Sequence, residues 1–169
     1  MHELKISTDL PKPELYAQLE QELRSLVAGE PDLIANLANV SALLFHSLPD
    51  LNWAGFYLLR NGELVVGPFQ GKPACVRIAL GKGVCGTAAA QRSTVIVANV
   101  HEFPGHIACD SASNSEIVIP LIRDGQLLGV LDIDSPQFGR FDAQDQAGLE
   151  RLVWTLIQES AASSDPAPL

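Results

Sequence analysis

The chain is short of positive charge, of cysteine and of any long apolar run. Its 11 Lys and Arg stand against 20 Asp and Glu, a formal net charge of −9. Proteins that bind nucleic acid neutralise phosphates with clustered Lys and Arg, so a chain this acidic repels that partner and no nucleic acid is expected. No stretch approaches the roughly 20 consecutive apolar residues of a membrane span. The start, Met1-His2-Glu3-Leu4-Lys5-Ile6, has neither the basic opening nor the apolar run of a secretion signal. A soluble cytoplasmic protein with no membrane partner is therefore expected. Three cysteines, an odd number in 169 residues, do not make the disulfide framework of a small secreted domain. Reduced thiols in the cytosol are the better reading. Neither a Cys-x-x-Cys pair nor a short histidine spacing is present, although His101 and His106 lie near the cysteines, so no metal is expected. Gly81-Lys-Gly-Val-Cys-Gly86 leads into a helix and suits an anion at that helix's N-terminus. It lacks the Gly-Lys-Ser/Thr ending of a phosphate loop, so the nucleotide signal is weak.

With 47% hydrophobic and 18% charged residues, the chain can bury a full core as one domain. Leu15, Leu19, Leu23, Leu26 and Val27 recur at helical spacing and end at Gly29, and a second helix, capped by Asp32, runs through Leu44 and stops before Pro49. Residues 53–59 and 63–69 flank Asn61-Gly62, and residues 117–122 and 126–134 flank Asp124-Gly125. Both pairs are hairpin signals. Short strands are expected at 75–78 and 94–97, a short helix at 84–91 and a long irregular loop over 98–114. Asp142 caps a last helix whose buried face is Leu149, Leu152, Val153, Leu156 and Ile157. Helices at the two ends around hairpin-connected strands predict an α+β fold, with a central antiparallel β-sheet flanked by N- and C-terminal helices. The apolar faces at 15–27 and 149–157 permit a homodimer, and each can equally be satisfied against its own sheet.

The cysteines carry the main clue to function. Cys75, Cys85 and Cys109 each sit among glycines or small polar residues, where irregular and exposed segments are expected. Thiols placed there point to redox or nucleophilic chemistry rather than packing. Glu116, Asp132 and Asp134 lie in or beside two apolar strands, and Asp132 and Asp134, two apart, point to one face. A carboxylate cluster near thiols suggests a pocket that holds a small cation and supplies a proton. Trp53, opening the first strand, reads as core or as a ligand wall.

The runs Gly67-Pro-Phe-Gln-Gly-Lys-Pro-Ala-Cys75, Gly81-Lys-Gly-Val-Cys85-Gly-Thr-Ala-Ala, Phe103-Pro-Gly-His-Ile-Ala-Cys109-Asp and Gly129-Val-Leu-Asp132-Ile-Asp134-Ser resemble the free methionine-(R)-sulfoxide reductases, small GAF-domain enzymes. The resemblance spans roughly residues 15 to 158 and implies a single GAF domain, taken as 14–160, after an N-terminal extension 1–13 and before a disordered tail 161–169. It implies further that the pocket encloses free L-methionine (R)-S-oxide and excludes methionine within proteins. By the same resemblance Cys109 is the nucleophile that becomes a sulfenic acid, Cys75 the resolving thiol, and Cys85 a pocket residue or alternative disulfide partner. Glu116 and Asp134 hydrogen-bond and protonate the sulfoxide oxygen, Asp132 helps hold the amino group, and Trp53 packs on the methyl. Thioredoxin is the implied electron donor, and no cofactor is implied. A disulfide requires Cα atoms about 4.4–6.8 Å apart, and Cys75 and Cys109 lie on different segments, so loop 98–114 is expected to close as a mobile lid.

Overall fold

Leucines at three- and four-residue spacing put the first third of the chain into α1 (Lys12–Val27) and α2 (Leu33–Ser47) in the computed structural model, which describes residue 6, residues 9–105 and residues 111–161. Gly29, at φ 75°, follows α1, and the Asp32 carboxylate accepts the Ala35 N–H at 2.9 Å to cap α2. The rest runs β1 (Trp53–Arg60), β2 (Glu63–Gly71), β3 (Arg77–Ala79), α3 (Gly83–Gln91), β4 (Val95–Val97), β5 (Ser115–Arg123), β6 (Gln126–Ser135) and α4 (Ala143–Ala161). Asn61 and Gly62 take φ of 50° and 85°, and Asp124 and Gly125 take 51° and 76°. Such pairs of positive angles match the twist of the strands they join, β1 to β2 and β5 to β6. Loop 98–114, read as irregular, contains a 3-10 turn at Val100–Glu102 that opens on the Asn99 side chain.

The six strands form one sheet in the order β3-β2-β1-β6-β5-β4, antiparallel at every pairing. Alternation divides its residues between two faces. Ala54, Phe56, Leu58, Ile117, Ile119, Leu121, Leu131 and Ile133 share one core with the buried stripes of α1, α2 and α4. Tyr57, Leu64, Val118 and Val130 face the other way and pack with Val84, Cys85, Ala88 and Ala89 of α3. The sheet therefore lies between a layer of three long helices and a layer formed by α3 and its loops. The apolar faces of α1 and α4 are buried within this chain's own core, while Trp154 of α4 is exposed. No helix among the described residues is long and apolar enough to cross a membrane.

Asp145 ties the two terminal helices together. Its carboxylate is buried and accepts from the Tyr16 hydroxyl at 2.9 Å, Lys12 Nζ at 2.5 Å, Arg140 Nη1 at 3.2 Å and the Asp142 N–H at 2.9 Å. Asp142 in turn accepts the N–H groups of Gln144 and Asp145, at 2.8 and 3.1 Å, so the two acids cap α4 reciprocally. Lys12 and these helical donors hold the Asp142 carboxyl down at about 2. Further along, Arg24 meets Glu159 at 3.0 Å, so α1 and α4 run side by side in the same direction. Replacing Asp145 with Asn would remove the charge and turn an amide N–H₂ toward two of its four donors. Breaking a buried ionic network in this way costs about 3–5 kcal/mol. Chemical denaturation of Asp145→Asn is expected to show a loss of that size, and a loss below about 1 kcal/mol would remove the network from its anchoring role.

Candidate active site

The pleat that sends Ile117 and Ile133 into the helical core sends Glu116, Asp132 and Asp134 to the opposite face. Register then aligns them. Trp53 lies opposite Asp134, and Asp134 opposite Glu116, in one row across β1, β6 and β5. Gly55, Asp132 and Val118 form the next row on the same face. Gly55 keeps that row open, because a Cβ there would come within 2.2 Å of the Phe69 Cβ and 2.8 Å of the Trp53 ring. The indole stacks on Phe69 with centroids 5.1 Å apart and donates Nε1–H to the Lys72 carbonyl at 3.1 Å. Trp53 is thus a fixed wall.

Cys85 closes the pocket from above, and its setting corrects the expectation from sequence. It is the third residue of α3, within the short helix expected over 84–91, but it is only 3% exposed where the sequence reads as an exposed position. The neighbouring glycine that suggested a loop has another purpose. A Cβ at Gly86 would fall 2.3 Å from the Ala79 carbonyl oxygen, so the glycine lets α3 sit down on the end of β3. The Cys85 Sγ lies 4.0 Å from Glu116 Oε1 as a thiol donor. Asp132 Oδ1 is buried and has no hydrogen-bond partner among the described residues.

Burial, followed by repulsion from Asp132 and Asp134, pushes Glu116 well above the usual carboxylate range. Burial pushes Asp132 up to about 6, while hydrogen bonds from Cys85 and Glu116 pull it back. The Cys85 thiol is pushed well up by burial and then by the charges of Asp132 and Glu116. These shifts favour the neutral carboxyl at Glu116 and the thiol over the thiolate at Cys85. Together these groups make a pocket with an acidic floor, an aromatic side and a helix N-terminus, α3, that no side chain among the described residues caps.

The pocket brings together Trp53, Cys85, Glu116, Asp132 and Asp134. Cys75 stands beside it in the irregular segment before β3. It is half-buried and disulfide-bonded, and its carbonyl accepts the Tyr57 hydroxyl at 3.0 Å. Cys85 carries a free thiol. Cys109 and His106 lie outside the described residues. His101 is exposed, with Nε2 2.9 Å from Asn114 Oδ1. The sequence reading missed Tyr57, Lys72, Lys82 and Ser113, which also line the pocket or, for Tyr57, tie it to Cys75. Tyr57 was accessible in principle, because it stands four residues after Trp53 and a strand returns to the same face every second residue. Burial, then the charge of Asp132, pushes its phenol far above the ordinary range, which keeps it a donor to the Cys75 carbonyl.

Residues 35–156 match the GAF domain family. The chain is 58% identical over 154 residues to the free methionine-R-sulfoxide reductase of Escherichia coli (strain K12), an alignment that covers 91% of this chain and 93% of that protein. It is 47% identical over 162 residues to the free methionine-R-sulfoxide reductase of Saccharomyces cerevisiae, covering 91% and 89%. Among solved structures, the free methionine-R-sulfoxide reductase of Neisseria meningitidis in complex with its substrate matches with a TM-score of 0.91 and 45% identity, over 96% of this chain and 97% of that one.

The raised acids have a consequence for stability. A carboxyl whose pKa is higher in the folded chain contributes stability that is full below the usual carboxylate range and is lost as pH climbs through the folded value. Asp132 spends its contribution between about 4 and 6, and that of Glu116 fades further up. The melting temperature of Glu116→Gln, measured relative to the parent, is therefore expected to rise steadily from about pH 4 to pH 7. A difference that stays flat across that window would mean that Glu116 ionises normally.

Proposed function

Because the chain belongs to the GAF domain family and, within it, to the free methionine-R-sulfoxide reductases, we propose that it reduces free L-methionine (R)-S-oxide to L-methionine. The observation that carries this reading is the row Trp53–Asp134–Glu116 beside Asp132. It combines an apolar aromatic side for a thioether with a neutral buried acid for the sulfoxide oxygen. Asp132 Oδ1, buried and unpartnered, suits the substrate's ammonium group. The uncapped N-terminus of α3, with Lys82 beside it, suits the α-carboxylate. Recognition of both groups at once excludes methionine inside a polypeptide, which has neither.

Chemically, the Cys109 thiolate attacks the sulfoxide sulfur while Glu116, assisted by Asp134, protonates the oxygen. Oxygen passes to Cys109 as a sulfenic acid, and methionine leaves as the thioether. The Cys75 thiol then attacks the sulfenic sulfur, expels water and forms a disulfide, which stops oxidation before the irreversible sulfinic stage. Cys75 being disulfide-bonded fits the resolved end of this cycle. Thioredoxin supplies two electrons by dithiol exchange and returns both cysteines to thiols. Cys85, raised by burial and then by the same acids, shapes the pocket without taking oxygen. Loop 98–114 acts as a lid that closes over bound substrate, and the cytosol is the compartment in which a free thiol and this donor coexist.

Thioredoxin-coupled turnover of the separate R and S epimers tests this reading, with the N-acetylated, amide-capped R sulfoxide as control. The free R epimer alone should turn over. Turnover of the capped compound would refute the enclosed pocket, and no turnover of any of the three by reduced protein would refute the reaction. Cys109→Ser should abolish even a single turnover. Cys75→Ser should release about one methionine per chain and then stall. Equal multiple-turnover rates for Cys75→Ser and the parent would remove Cys75 from the resolving role.

A further inference from the structure

The groups suited to an amino-acid substrate also satisfy the donor chemistry of a different class of ligand. Cys85 Sγ, a Glu116 carboxylate oxygen and an Asp132 carboxylate oxygen all lie within 4.8 Å of one another, and all three residues are buried. We propose that this triad binds a borderline-soft divalent cation, Zn²⁺ being the natural example, which occupies the pocket in place of the organic ligand.

Geometry is the first support. Tetrahedral zinc takes sulfur at about 2.3 Å and carboxylate oxygen at about 2.0–2.2 Å, which sets neighbouring sulfur and oxygen ligands about 3.6 Å apart. The Cys85 Sγ to Glu116 Oε1 separation is 4.0 Å, so a small rotation of the flexible Glu116 side chain closes the difference. The three ligands come from α3, β5 and β6, elements held by the sheet register and by the close approach at Gly86. The second support is independent of the first. Among the described residues Asp132 Oδ1 is buried in the site with no hydrogen-bond partner, and a buried carboxylate oxygen so placed calls for a cation.

Donor identity narrows the ion. A thiolate with two carboxylates favours zinc over magnesium or calcium, which take oxygen alone. Three protein ligands leave a fourth position for water. Ion entry releases the thiol proton and any carboxyl protons to solvent and changes no oxidation state. The ion and an amino-acid ligand compete for Asp132, so a rise in free zinc would switch the pocket off without touching Cys75. This gives Cys85 a function of its own, and it stands whether or not the reductase reading does.

The test uses oxidised full-length protein, in which Cys75 is held in its disulfide and Cys85 is free, titrated with Co²⁺, whose absorption reports thiolate ligation and tetrahedral geometry. The expected result is a sulfur-to-cobalt band that saturates near one equivalent and is bleached by Zn²⁺. It should be absent from Cys85→Ser, and Asp132→Asn should bind at least about tenfold more weakly. Glu116→Gln keeps the thiol and must weaken binding by a similar factor, so the test survives if Cys85→Ser does not fold. No thiolate band in the parent, a band that persists in folded Cys85→Ser, or parental affinity in both carboxylate variants would overturn the proposal. None of these outcomes depends on turnover.

Discussion

Everything in this fold follows from the two-residue period of its central strands. Because β5 and β6 bury a continuous apolar face under three helices, their alternate residues are obliged to point the other way, and that is where the acids stand. A slip of one residue would drive Glu116, Asp132 and Asp134 into the leucine core. The apolar core thus enforces the register of the acidic pocket. The same constraint explains why the site is built on strands rather than on loops, and why its floor is rigid.

Placing three acids on one covered face has an electrostatic cost, and the pocket turns that cost to use. Burial and mutual repulsion raise Glu116 well above the usual carboxylate range and so favour its neutral, proton-carrying form. The same burial and charges raise the Cys85 thiol, so this buried thiol, 4.0 Å from Glu116, is disfavoured as a thiolate. Burial and neighbouring charge thus act on the pocket floor in one direction, favouring the neutral carboxyl at Glu116 and disfavouring a thiolate at Cys85.

Much of this was readable in the chain. Asn61-Gly62 and Asp124-Gly125 announced their hairpins because few residues accept consecutive positive φ angles. Asp32 and Asp142 announced helix starts because an acceptor is needed where N–H groups have no partner. The alignment of Asp132 with Asp134 came from strand period alone. Less readable was Cys85. The sequence predicts the helix over 84–91 but not the burial of Cys85 in it, and only the distance from Gly86 to the Ala79 carbonyl reveals how closely that helix packs. Tyr57 escaped notice for the opposite reason. It reads as ordinary core, and its tie to the Cys75 carbonyl joins residues 18 apart through a fold not yet formed on paper.

The parallel pairing of α1 and α4 bears on how such a domain can be joined to others. Chain enters the helical layer beside Asp142 and leaves it past Glu159, at the far end of a helix of 19 residues. At 1.5 Å per residue these points stand about 28 Å apart, on the side of the sheet remote from the pocket. Copies strung in series would thread like beads, each helical layer continuing the direction of the last, with every pocket left uncovered. A circularly permuted chain would instead have to recross that full span, which takes at least about eight extended residues.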